Sequence, residues 1–239
     1  MHGVKEKKVI LQQQSVTPIP KNIATGKAFF FPYIFFSEGI DFIANAERTC
    51  FMKAFDEIYY IDSRKPEAED ILALRLSQLL ARYPLPPVYL CIGSDRVTGD
   101  SLGPLVGTLL LKVQPTLPVI GTLTDPVHAL NLKHTLSFLS EKFPGHPIVA
   151  IDASLGSRSH QEFFTVGSGS LEPGAGVDKI LGSAGDLFIT GIVAPTGPLP
   201  QLNLQTVRLS LVMRFAECIA GAVASLTLEK EAACEKLSL

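Results

Sequence analysis

From residue 66 onward the chain alternates short apolar runs with amphipathic stretches, and this alternation restricts its fold more than any other feature. Pro66 and Glu67 open a run in which Ile71, Leu72, Leu74, Leu76, Leu79 and Leu80 recur close to helical spacing. The pattern predicts an amphipathic helix to about Arg82, with proline in its first turn. "PPVYLCIG" (86–93) then reads as a buried strand, 101–113 as a helix, 118–123 as a strand and 129–143 as a helix. Three further apolar runs, 146–153, 161–167 and 186–194, read as strands, and 202–226 as a long closing helix. Right-handed crossovers between parallel strands lay helices on both faces of a sheet, so the expected fold is α/β. It is a three-layer sandwich whose central sheet is largely parallel and flanked by helices on both faces.

Residues 1–51 do not continue this pattern. They begin with a polar segment containing Lys5, Lys7 and Lys8 and pass into "AFFFPYIFF", an aromatic run interrupted by Pro32. A secretory leader would place its apolar core directly after the basic start and end in small residues, which this segment does not do. It reads as a poorly packed extension, with Met52 a natural alternative start of translation. Residues 52–228 form the single α/β domain, and 229–239 a tail.

With 46% hydrophobic and 18% charged residues the composition suits a soluble core, and no uninterrupted apolar stretch reaches the length of a membrane span. A net charge of −2 gives no electrostatic footprint for nucleic acid. Cys50, Cys91, Cys218 and Cys234 show no CxxC spacing and read as reduced thiols of a cytoplasmic protein, Cys91 as a small core residue.

In open α/β sheets ligands gather at the carboxyl ends of the strands, where loops are free of the shielding helices. Three loops are selected. The loop after 86–93 carries Ser94, Asp95, Arg96, Thr98, Asp100 and Ser101; the loop after 118–123 carries Thr124, Asp125 and His128; the loop after 146–151 carries Asp152, Ser154, Ser157, Arg158 and His160. Parallel neighbouring strands would put Asp100 and Asp152 on one rim. Two adjacent carboxylates can share a proton and activate water, or hold a metal. Each residue also has a plainer reading. Asp100 directly precedes a helix and suits an N-cap. Asp152 suits a loop-organising bond to nearby amides or to Ser154. Arg96 suits a surface pair with Asp95, and His128 a cap or surface position. No P-loop, GxGxxG, GxSxG, HExxH or CxxC motif occurs in a fitting context, which argues against the common nucleotide-binding, serine-hydrolase, zinc-protease and thioredoxin-like classes.

On "CIGSDRVTGDSLGPLVG", "GTLTDPVHALNL", "IVAIDASLG" and "NLQTVRLSLVMRFAE" the chain resembles the YyaC family of sporulation proteins, over roughly residues 56–227. That family is similar to the spore germination protease and, more distantly, to hydrogenase maturation endopeptidases. The resemblance implies peptide-bond hydrolysis, with Asp100 in "TGDSLGP" and Asp152 in "IDA" at the matching acidic positions. Ser94, Asp95, Arg96, Thr98 and His128 are then expected to bind substrate. In the hydrogenase endopeptidases a later His joins two carboxylates on a metal, but here His128 lies in a different loop and "APTGPLPQ" follows the fifth strand, so neither metal nor other cofactor is expected. The expected partner is a protein or peptide, spore proteins among them, in the cytoplasm of a sporulating bacterium, with neither nucleic acid nor membrane as a partner. The alternative function is a non-enzymatic binding module that recognises a sporulation partner or small ligand on the same fold.

Overall fold

The computed structural model describes residues 58–171, 173 and 183–237, so the reading made for residues 1–51 lies outside the described residues. In chain order the elements are β1 (Ile58–Asp62), α1 (Ala68–Leu80), β2 (Val88–Cys91), α2 (Leu102–Val113), β3 (Val119–Ile120), α3 (Leu132–Lys142), β4 (Ile148–Gly156), β5 (Phe163–Ser168), β6 (Leu187–Pro195), α4 (Pro200–Gln205) and α5 (Leu209–Leu237). The strands form a six-stranded sheet in the order β1-β5-β6-β4-β2-β3.

The β3, β2, β4 and β6 strands run parallel, as the βα alternation requires. β5 is antiparallel to both of its neighbours, so β1 again points the same way as β6. The reversal has a covalent cause. Residues 157–162 alone join β4 to β5, far fewer than the dozen or so that a parallel crossover needs. β1 has no counterpart in the alternation read from the sequence.

Alternate residues of each central strand serve opposite faces, as a pleat demands. Tyr89, Cys91, Val149, Ile151 and Ile189 enter one core with Leu72 and Leu76 of α1, Leu110 of α2 and Phe215 and Ile219 of α5. Val88, Leu90, Ile92 and Ala150 enter a second core with Leu132 and Leu139 of α3. Helices therefore cover both faces, and the three-layer expectation is met. Phe164 of β5 and Phe215 of α5 meet with ring centroids 4.7 Å apart, tying the reversed strand to the long helix.

The closing helix expected at 202–226 is divided. Proline opens α4, and the Thr206 hydroxyl donates to the Leu202 carbonyl (3.0 Å), offering the backbone an alternative to further helix. α5 begins three residues later and runs to Leu237, into the stretch read as a tail. Residues 209–227 of α5 are long and apolar enough, by composition alone, to cross a membrane. Their apolar face is spent on the core, with Val212, Phe215, Ala216 and Ile219 all fully buried.

Candidate active site

Three backbone hydrogen bonds gather the three rim loops. The Ile92 N–H donates to the Ile151 carbonyl (2.7 Å), fixing the end of β2 beside β4. The Gly93 N–H donates to the Val127 carbonyl (2.7 Å), and Ile92 and Val127 form a parallel bridge that holds the segment before His128 against the end of β2. The Ser94 N–H donates to the Asp100 carbonyl (3.0 Å), closing the polar loop on itself.

That closure explains the first glycine of the loop. Gly93 has φ +142°, and a Cβ there would lie 2.0 Å from the Asp100 carbonyl oxygen. Only glycine meets both demands. Gly103 has a packing reason, because its Cβ would lie 2.1 Å from the Ile92 carbonyl oxygen and hold α2 away from β2. Gly99 is required by contact: a Cβ there would meet the Leu204 carbonyl of α4 at 2.7 Å.

Asp100 sits in a 3-10 turn, Thr98–Ser101, that precedes α2. The N-cap position of α2 belongs to Ser101, whose hydroxyl donates to the Thr98 carbonyl (2.7 Å), and no side chain caps the helix. The capping reading of Asp100 is therefore not realised, because the 3-10 turn separates its side chain from the first turn of α2. Burial raises the Asp100 pKa to about 6, against the lowering effects of the Ser94 backbone hydrogen bond and of the nearby His128 charge.

Asp152 lies in β4 in register with Thr190 of β6. Its Oδ1 accepts the N–H of Ala153 at 2.7 Å, so the amide bond of its plainer reading is present. Ser154, the other expected partner, turns to the Thr190 hydroxyl instead (3.0 Å). Burial raises the Asp152 pKa well above the ordinary carboxylate range, and the Asp100 charge raises it further. The Asp100 charge is thus felt at Asp152. Both carboxyls are therefore held above the ordinary carboxylate range, Asp100 at about 6 and Asp152 raised by burial and by the Asp100 charge, since like charges that lie close cannot both ionise cheaply.

His128 joins them. Its backbone N–H donates to Asn131 Oδ1 (2.8 Å), and its Nδ1 accepts the Leu130 N–H (3.3 Å). An accepting Nδ1 leaves Nε2 to carry the proton of the neutral ring. The remaining sequence candidates are arranged differently. Ser94 Oγ accepts the Arg96 N–H (3.3 Å), organising the loop from within. Asp95 and Arg96 are exposed, and among the described residues they form no ion pair with each other. Thr98 is half-buried at the start of the 3-10 turn. In the loop after β4, Ser157 bonds to Ser159 (2.9 Å) and to His160 Nδ1 (3.1 Å), while His160 stacks on Tyr60 (ring centroids 4.6 Å apart), so these residues serve the β1–β5 edge. Among the described residues no group of three His, Cys, Asp or Glu is disposed to hold a metal.

A hydroxyl row beside Asp152 was not anticipated from the sequence. Thr190 is bonded to Thr165 of β5 (2.6 Å) as well as to Ser154, and both threonines are buried. A threonine amid the apolar run 186–194 is its only sequence signal.

Comparison with known proteins gives three findings. The family model described as "Protein of unknown function (DUF1256)" matches residues 60–222. "Uncharacterized protein YyaC" of Bacillus subtilis (strain 168) is 43% identical over 172 residues, which cover 72% of this chain and 83% of that protein. A solved structure, the [NiFe] hydrogenase maturation protease HycI from Thermococcus kodakarensis KOD1, matches 64% of this chain and 97% of its own at 18% identity and a TM-score of 0.38, a level from which nothing about activity follows.

Proposed function

The chain belongs to the DUF1256 family, together with YyaC of Bacillus subtilis, and on the carboxyl chemistry within the matched segment we propose that it is a peptidase with an aspartate pair. The observation that carries this reading is that burial raises both Asp100 and Asp152, and that the Asp100 charge raises Asp152 further. Asp100 acts as general base and takes a proton from water as the water oxygen adds to the peptide carbonyl carbon. Asp152 donates a hydrogen bond to the carbonyl oxygen and then gives its proton to the departing amine. Water and peptide become a carboxylic acid and an amine, and the proton gained by Asp100 returns to Asp152 to reset the site. His128 stands near Asp100 from the neighbouring loop, and Ser94 fixes the turn that presents Asp100. Asp95, Arg96 and Thr98 are left to contact substrate from the loop. The proposed setting is the cytoplasm of a sporulating cell, with spore proteins as substrates; the Bacillus relative supports that setting.

Incubation of the purified protein with small acid-soluble spore proteins and with spore extract, read by mass spectrometry of new termini, tests the proposal. Cleavage is expected, and its rate is expected to rise through about pH 6 as Asp100 ionises. At higher pH the rate falls again as Asp152 loses the proton it must donate. Turnover that is undiminished well below pH 5 would contradict a base with the Asp100 pKa. Binding of spore proteins without any cleavage would favour the binding-module alternative.

A further inference from the structure

A cavity of about 610 Å³ opens where the end of β6, the approach to β5 and the α4–α5 corner meet. Neither Asp100 nor Asp152 lines it. The apolar part of its lining that keeps exposed surface is Pro195, Val207 and Leu211, over the buried Val193 and Ala194, and its charged part consists of Arg208, Arg214 and Glu162. Arg214 Nη2 donates to Glu162 Oε2 (2.6 Å), so that guanidinium is largely engaged. Arg208 is exposed and has no ion-pair partner among the described residues.

Glu162 is held in an unusual way. It has φ +67°, a left-handed backbone that costs a residue with a Cβ roughly 1 kcal/mol or more. Its N–H donates to the Ile192 carbonyl (3.0 Å), and its own carbonyl accepts the Ser63 hydroxyl (2.6 Å). The surroundings therefore impose this conformation and fix the carboxylate against Arg214.

We propose that the cavity binds a carboxylate carried on an apolar body, with Arg208 receiving the carboxylate and the Pro195, Val207 and Leu211 surface receiving the body. Two guanidiniums and one carboxylate leave a single positive charge, which one monoanion balances. A phosphate dianion would meet Glu162 on the same wall and be repelled, and an amine would meet the net positive charge. The planar fork of Arg208 matches a carboxylate through two parallel hydrogen bonds. The end of a peptide chain and a short fatty acid share this chemistry. The site is independent of whether Asp100 and Asp152 hydrolyse anything, so its failure and theirs are separately readable.

Calorimetric titration of the full chain with N-acetyl-Leu-Leu as the free acid, with its C-terminal amide, with decanoate and with inorganic phosphate tests the proposal. The free acid should bind saturably and the amide at least ~tenfold more weakly. Arg208→Ala should weaken the acid by ~tenfold or more with an unchanged melting temperature, because the residue is exposed. Arg208→Lys should fall between, since it keeps the charge and loses the fork. Decanoate binding as well as the peptide acid would assign the site to carboxylates in general; peptide acid alone would assign it to peptide termini. Equal binding of acid and amide, an unaffected Arg208→Ala, tighter binding of phosphate, or no saturable binding of the acid below about 5 mM would overturn it.

Discussion

Replacing Gly93 by alanine is expected to destabilise the protein by about 4 kcal/mol or more, at the far end of what single substitutions do. Two costs coincide at this position. A left-handed φ of +142° strains any residue with a Cβ, by about 1–3 kcal/mol. The new Cβ would also sit 2.0 Å from the Asp100 carbonyl oxygen, which can retreat only by breaking its bond to the Ser94 N–H. Gly169→Ala supplies the control, because Gly169 has φ +110° with nothing within 4 Å of the added carbon. Urea unfolding of both variants should show a loss near the strain cost alone for Gly169→Ala and a loss larger by about 2 kcal/mol or more for Gly93→Ala. Equal losses would mean that the turn carrying Asp100 accommodates the methyl group and is not held as tightly as its hydrogen bonds indicate.

The second large effect is on turnover. Asp100→Asn and Asp152→Asn should each lower kcat/KM for a cleaved spore protein by about 10²–10⁴-fold, the range that general acid–base groups supply. The double variant should be worse than the poorer single variant by no more than about a further factor of ten, because a pair passing one proton acts as a unit. Multiplicative losses would indicate two groups acting separately. Neither substitution is expected to unfold the chain, as each replaces a carboxyl by an amide of nearly the same shape.

The central strands and helices were legible because local pattern encodes them: the unbroken apolar run of 88–91 and a 3.6-residue stripe in α1 need no knowledge of what they pack against. β1 and the reversal of β5 were not, since strand order is fixed by pairings a hundred residues apart, Ile58 with Gly167 among them. The same reason separates the site residues. Asp100 and Asp152 stood out as acids at the ends of apolar runs. Whether Asp100 capped α2 turned on a 3-10 turn whose hydrogen bonds involve loop backbone rather than side-chain type. His128 reads from sequence as a surface residue because its approach to Asp100 depends on the bridge between Ile92 and Val127. Thr165 and Thr190 become a pair only once β5 and β6 are known to be neighbours. The Arg208 cavity gathers residues from β6, the approach to β5 and α5, so no single stretch of sequence carries it.

The coupling of the two carboxyls can be measured without any substrate, by following the aspartate side-chain carboxyl carbons by NMR from pH 3 to pH 10 in the native chain and in Asp100→Asn. Asp100 should titrate with a midpoint of about 6, and Asp152 well above the ordinary value of 3.8. In Asp100→Asn the Asp152 midpoint should move down, because a neighbouring negative charge is gone. It should nevertheless remain above the ordinary value of 3.8, because burial is the larger cause of its elevation. An Asp152 that titrates near 3.8 in the native chain, or one whose midpoint is indifferent to Asp100→Asn, would contradict the pair on which the proposed chemistry rests.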